Sequence, residues 1–436
     1  MDGYNYLLSL CVILMSTKIF SILSRREQLP QVVGALMAGL FFGPAVLGAI
    51  TEHFFGFAFC LQPTVLLSRM AELGVIVIMF TAGMETNIEE LKASGTVGFV
   101  VALLGVILPL GLGAGLMYLF DPHVTFASAI FVGAVLTATS VSITVEALKE
   151  LGKMSTKVGN TILAAALIDD ILGLICLTII TGIAGGEVNI GLVLVKIVGF
   201  FLFVAIAGIA YYRSMVWSDR VQAERNLRRY PVMGFAFCLF MAWAAEVVFG
   251  IADIIGAFAA GMIIAMSPKG QYISSKFDTI AYLLLTPIFF ANIGLEVVLP
   301  KMTSEVLLFT VALVVISVIS KLGGCGIGAM MCGLSKRQSY QIGLGMVCRG
   351  EVALIVAGKG VAMNLIDESY LGPIVIMIIV CTIITPIFLK GAFKGADEVG
   401  STIFEDKFML EEQTDEMEED IFHRRSLLAQ QMYGGE

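Results

Sequence analysis

The sequence has 436 residues and a formal net charge of −8, with 58% hydrophobic and only 14% charged residues. A soluble domain carries about 25% charged residues, so a soluble globular protein is excluded, as is a basic nucleic-acid-binding one. The charge is local: residues 393–436 hold twelve acids against Lys394, Lys407, Arg424 and Arg425, whereas residues 1–392 hold 23 acids and 23 bases.

A membrane-spanning helix needs about 20 predominantly apolar residues. Runs of this kind fall at 4–22, 30–48, 68–86, 94–120, 124–148, 155–184, 188–212, 229–247, 250–268, 279–298, 303–333, 338–358 and 370–391, which predicts an all-α protein of thirteen spans. The first run ends at Arg25-Arg26 without a small-residue cleavage pattern, so it reads as a retained span. Lys18 and Lys196 lie near enough to span ends to snorkel. Residues 53–64 are apolar but short and predict an interfacial segment or loop, and Gly250 divides the eighth run from the ninth.

The fifth run reads GAVLTATSVSITV, where Thr137, Thr139 and Ser140 interrupt an apolar helix at its midpoint. The sixth carries Asp169 and Asp170 at mid-span, too deep for either side chain to reach water. The eleventh holds Lys321, and the twelfth holds Arg349, Gly350 and Glu351 at its midpoint. Ionisable groups at bilayer depth are costly and mark ion or proton pathways. Neighbouring residues on a helix point about 100° apart, so the two aspartates can serve different partners. An ionised carboxylate is a hard ligand for an alkali cation. One withdrawn from water also holds a proton more readily, so cation and proton compete for the same oxygens.

A shift of 210 residues lays Thr137–Ser140 on Val347–Gly350 and the fourth to sixth spans on the eleventh to thirteenth. Polar midpoints at matching places predict two discontinuous helices in inverted repeats, crossing near the membrane midplane. Loop charge sets the orientation. With the N-terminus outside, the inner loops carry fifteen Lys and Arg and the outer loops three, a positive-inside pattern that puts the C-terminus in the cytoplasm.

The eight cysteines contain no CxxC pair and read as reduced packing residues, and His53, His123 and His423 lie too far apart to suggest a metal site. No stretch outside the spans is long enough for a folded domain. The acidic segment 393–436 reads as a solvated cytoplasmic tail; docking on the inner loop at Arg225, Arg228 and Arg229 is the regulatory alternative.

The segments LTATSVSITVEAL (136–148), AALIDDILGL (165–174), SKLGG (320–324) and MVCRGEVALIVAGKG (346–360) resemble the monovalent cation:proton antiporter superfamily. The resemblance is to its bacterial sodium/proton antiporters and Kef-like transporters with an Asp-Asp pair, and it covers residues 1–392. It implies a homodimer in the bacterial inner membrane, needing no cofactor. Each protomer would carry its site across by an elevator-type movement of a core domain, mainly 94–184 and 303–391, against a dimerisation scaffold. Asp170 would be the primary cation- and proton-binding carboxylate and Asp169 the partner of Lys321. Thr137, Thr139 and Ser140 would lie at the helix crossing, with Arg349 and Glu351 as supporting charges. The implied activity is exchange of Na⁺, or Li⁺ or K⁺, for H⁺, electrogenic at two protons per cation. Potassium/proton antiport or K⁺ efflux on the same fold is the first alternative. A sodium-coupled symporter of organic anions is the second, and the Asp-Asp-Lys set counts against it.

Overall fold

A computed structural model describes residues 5–27, 29–55, 60–86, 88–183, 190–221, 229–267, 269–297 and 304–394. The acidic tail and the loop residues Arg225 and Arg228 lie outside them. Regular structure among these residues is helical throughout. That is what lipid demands of a single apolar segment, because a helix satisfies its backbone groups internally.

The helices are α1 (Asn5–Arg26), α2 (Gln31–Phe42), α3 (Ala49–Phe55), α4 (Val65–Glu85), α5 (Ile88–Phe120), α6 (Phe126–Thr137), α7 (Val141–Glu150), α8 (Lys157–Ile183) and α9 (Ile190–Val221). There follow α10 (Arg229–Trp243), α11 (Asp253–Ala265), α12 (Gly270–Ile280), α13 (Thr286–Leu295), α14 (Ser304–Met331), α15 (Lys336–Gly345), α16 (Glu351–Ala362) and α17 (Leu371–Phe393). Polar residues start several of them: Thr64 Oγ1 accepts from Leu67 N–H at 3.3 Å, and Ser335 and Gln338 form a reciprocal capping box at α15.

Among the described residues, eleven helical units are long and apolar enough to cross a membrane, against thirteen expected runs. Two runs fall short for physical reasons. Helix α11 has 13 residues and so covers only about 20 Å. The run at 338–358 is cut into α15 and α16, of 10 and 12 residues. At the expected interfacial segment or loop, residues up to Phe55 end α3, which a π-turn at Pro44–Gly48 links to α2; residues 56–59 lie outside the described ones and 61–64 have no regular structure. A second π-turn, Ala281–Leu285, joins α12 to α13. Gly250 does divide α10 from α11, in the left-handed conformation at φ +67°.

The helices form two packed groups. Helices α5, α6, α8 and α14–α17 pack on one another, as do α1, α2, α4 and α10–α13. Small residues set the closest approaches. A Cβ on Gly83 of α4 would lie 2.2 Å from the Phe258 carbonyl of α11, and one on Gly261 of α11 would lie 2.2 Å from the Phe80 carbonyl of α4. Backbones that close gain dispersion contacts without water to expel, which is how helices associate in lipid. Helix α9 is almost unburied, presenting Val195, Val198, Leu202, Ile206 and Ile209 outward. Lys18 of α1 is exposed; it donates to the Tyr282 hydroxyl and lies 4.8 Å from the centre of that ring.

Candidate functional site

The two broken helices meet at their breaks. Residues 138–140 separate α6 from α7, and residues 346–350 separate α15 from α16. Ser140 N–H donates to the Cys348 carbonyl at 3.0 Å, joining the breaks directly. Thr144 Oγ1 of α7 donates to the Gly345 carbonyl at the end of α15, at 2.8 Å. Gly350 permits the approach: a Cβ there would lie 2.7 Å from Ser140 Oγ.

The half-helix ends set the electrostatics. Helices α6 and α15 end at the crossing with partial negative charge, whereas α7 and α16 begin there with partial positive charge. Arg349 is fully buried and donates from Nη1 to the Ala138 carbonyl at 2.9 Å, offsetting the negative end of α6. The same Nη1 lies 3.5 Å from Thr139 Oγ1. The Arg349 carbonyl is held in turn by the Thr382 hydroxyl of α17.

The carboxylate pair sits at the centre of α8, with thirteen residues between Asp170 and either helix end. Asp169 is 2% exposed and Lys321, on α14, is fully enclosed. Lys321 Nζ donates to Asp169 Oδ1 at 2.7 Å, and Thr139 Oγ1 donates to Asp169 Oδ2 at 2.8 Å. Both Asp169 oxygens are thus engaged, by groups from two other helical units. Asp170 faces elsewhere on the helix and is half-buried, with its Oδ2 shielded. Burial along α8 changes at this pair: residues 158–166 are buried and 170–178 half-buried.

Of the residues the sequence singled out, Asp169, Thr139, Lys321 and Arg349 are brought into one connected set. Asp170 adjoins it through the chain. Thr137 does not join by its side chain; its hydroxyl turns back to the Ala134 carbonyl of its own helix at 2.7 Å. Ser140 contributes its backbone, and its hydroxyl lies 3.4 Å from that of Ser142. Glu351 is the first residue of α16, and its side chain is outside the described ones.

Two contributors were missed. Gly105 of α5 closes over the ion pair: a Cβ there would lie 2.6 Å from Cys325 Sγ, 3.6 Å from Lys321 Nζ and 3.8 Å from Asp169 Oδ1. Thr382, one of two buried threonines in the apolar helix α17, had only its polarity to mark it.

Comparison with known proteins agrees with this geometry. Residues 10–394 match the family model described as sodium/hydrogen exchanger, transmembrane. The chain is 38% identical to the Na⁺/H⁺-K⁺ antiporter GerN of Bacillus cereus, over 91% of this chain and 98% of that one. It is 35% identical to a Na⁺/H⁺ antiporter of Enterococcus hirae, over 87% and 96%. The solved structure of the sodium proton antiporter MjNhaP1 of Methanocaldococcus jannaschii shares the fold at 15% identity, with a TM-score of 0.62 over 91% of this chain and 98% of that one.

Proposed function

Because this chain belongs to the sodium/hydrogen exchanger family, we propose that it is a secondary antiporter exchanging Na⁺ for H⁺, acting in transport and not as an enzyme. The observation that carries this is the division of labour between neighbouring carboxylates. Asp169 has both oxygens occupied by donors from α14 and the α6–α7 break. Asp170, its neighbour at the same depth, is half-buried beside that fixed pair and is the carboxylate that exchanges a cation for a proton. Helix ends, Thr139 and the Ala138 region supply the polar surroundings that a desolvated cation requires.

The two helix groups correspond to a mobile core (mainly 94–184 and 303–391) and a scaffold, moving as an elevator within a homodimer in the bacterial inner membrane. Lys321 makes the exchange electrogenic, at two protons per cation, so that rate responds to membrane potential. In proteoliposomes with an imposed gradient, Asp170→Asn should abolish cation-driven proton movement. Wild-type exchange by that variant would refute the assignment. A second reading, K⁺ as a transported ion, is favoured by the name of the Bacillus cereus relative. Selectivity between alkali cations depends on cavity size and ligand number, so rates across Na⁺, Li⁺ and K⁺ at fixed pH separate the readings.

A further inference from the structure

Helix α7 packs on α8 and α17 of the first group, and the two adjacent charges at its end remote from the break reach across to the second. Lys149 Nζ lies 3.2 Å from Glu85 Oε1 and donates to Thr81 Oγ1 at 2.9 Å, both on α4. Glu150 accepts the Gln31 N–H through both oxygens, at 2.6 and 2.8 Å, at the very start of α2. That amide follows Pro30 and has no partner within its helix. The carboxylate also meets the positive end of the α2 dipole. Glu146 of α7 and Asp278 of α12 add negative charge around Lys149, so this cation holds together carboxylates that would otherwise repel.

The seam between the groups is different farther along. There α2 and α13 face α17 across a narrow crevice of about 20 Å³, lined by Leu36, Leu40, Ile293, Val297, Ile379 and Thr382, of which only Thr382 is polar. One end of the seam is therefore joined by charged contacts and the next stretch by apolar ones that can slide. The burial of α8 has the same sense. Its half nearer Lys157 is closed, and the half beyond Asp170 is more open.

We propose that Lys149 and Glu150 form a latch that ties the core to α4 and α2 on one side of the membrane. It keeps the Asp170 site open toward the other side and must release each time the site changes sides. Loop charge makes the latched side cytoplasmic, so the latched form is outward-facing. The proposal rests on the elevator reading above.

Full-length protein in oriented proteoliposomes tests both and tells them apart. In a background whose native cysteines are replaced and which still transports, Glu85→Cys with Lys149→Cys is bridged by a short bifunctional thiosulfonate. Bridging should stop Na⁺/H⁺ exchange, and reduction should restore it. Undiminished exchange in the bridged protein would overturn the movement itself and the latch with it. Separately, Lys149→Gln should lower the KM for Na⁺ on the cytoplasmic side by at least about threefold and raise it on the outer side, the opposed signs that a shifted two-state population requires. The charge swap Glu85→Lys with Lys149→Glu should return both values toward wild type. Unchanged KM values, or a shift of the same sign on both sides, with bridging still inhibitory, would overturn the latch and leave the elevator standing. A merely structural role would lower the rate without opposed KM shifts.

Discussion

Arg349 acts on Asp169 through a single hydroxyl. A guanidinium can only donate, so Thr139 Oγ1, 3.5 Å from Arg349 Nη1, accepts from it and sends its own proton to Asp169 Oδ2 at 2.8 Å. The direction of that bond is fixed by a cation on the other broken helix. Asp169 is thereby held as an acceptor at both oxygens, with Lys321 on the second.

The first prediction concerns the buried pair. Lys321→Met leaves Asp169 enclosed and uncompensated, which costs about 3–5 kcal/mol. Asp169→Asn with Lys321→Gln together removes both charges and should recover much of that loss. Thermal unfolding in detergent checks the order: wild type above the double variant, and the double variant above Lys321→Met.

Thr139→Val keeps the shape and removes the bridge. Asp169 Oδ2 then loses its donor, for a cost of about 1–3 kcal/mol, and Arg349 loses its route to the carboxylate. Transport should fall at least tenfold, while Thr139→Ser should retain most of it. Thr137→Val, whose hydroxyl serves its own helix, should be close to neutral in the same assay. Equal losses at both threonines would contradict this placement.

Gly105→Ala pushes a methyl group against Cys325 Sγ, an overpacking that costs about 1–3 kcal/mol. Adding Cys325→Ala makes room and should restore stability. Should the double variant melt no higher than Gly105→Ala alone, the methyl group is displacing the ion pair instead of the thiol.

Arg349→Lys retains the charge and loses the planar fork that reaches the Ala138 carbonyl and Thr139 together. Expression and membrane insertion should persist, because the two helix groups keep their apolar packing. Apparent Na⁺ affinity should weaken severalfold, read as KM in proteoliposomes.

Much of this was legible in the chain. Charged residues at mid-span are too costly to be incidental, so Asp169, Asp170, Lys321 and Arg349 stood out. Hydroxyls and glycine at the midpoints of two apolar runs marked the breaks at 138–140 and 346–350. What the sequence withheld was direction. Thr137 and Thr139 look alike in TATS, and only the extended backbone of the break turns one toward Asp169 and leaves the other on α6. Lys149 counted only among the inner-loop cations and Glu150 carried no signal, since nothing local reveals that Glu85 and Gln31 lie opposite them. Gly105 was one of many glycines in apolar helices, distinguished only by what packs against it.

The charges at the crossing have an electrical consequence. Asp169, Asp170 and Glu351 against Lys321 and Arg349 sum to a formal −1 when all are ionised. With Lys321 deprotonated the sum is −2; one Na⁺ raises it to −1, and two protons, on Lys321 and Asp170, raise it to zero. On the proposed stoichiometry the carriage is neutral on one leg and singly charged on the other. Each full cycle then exchanges about 2.3 kcal/mol of work with every 100 mV of membrane field, so the respiratory voltage itself becomes a driving force for expelling sodium.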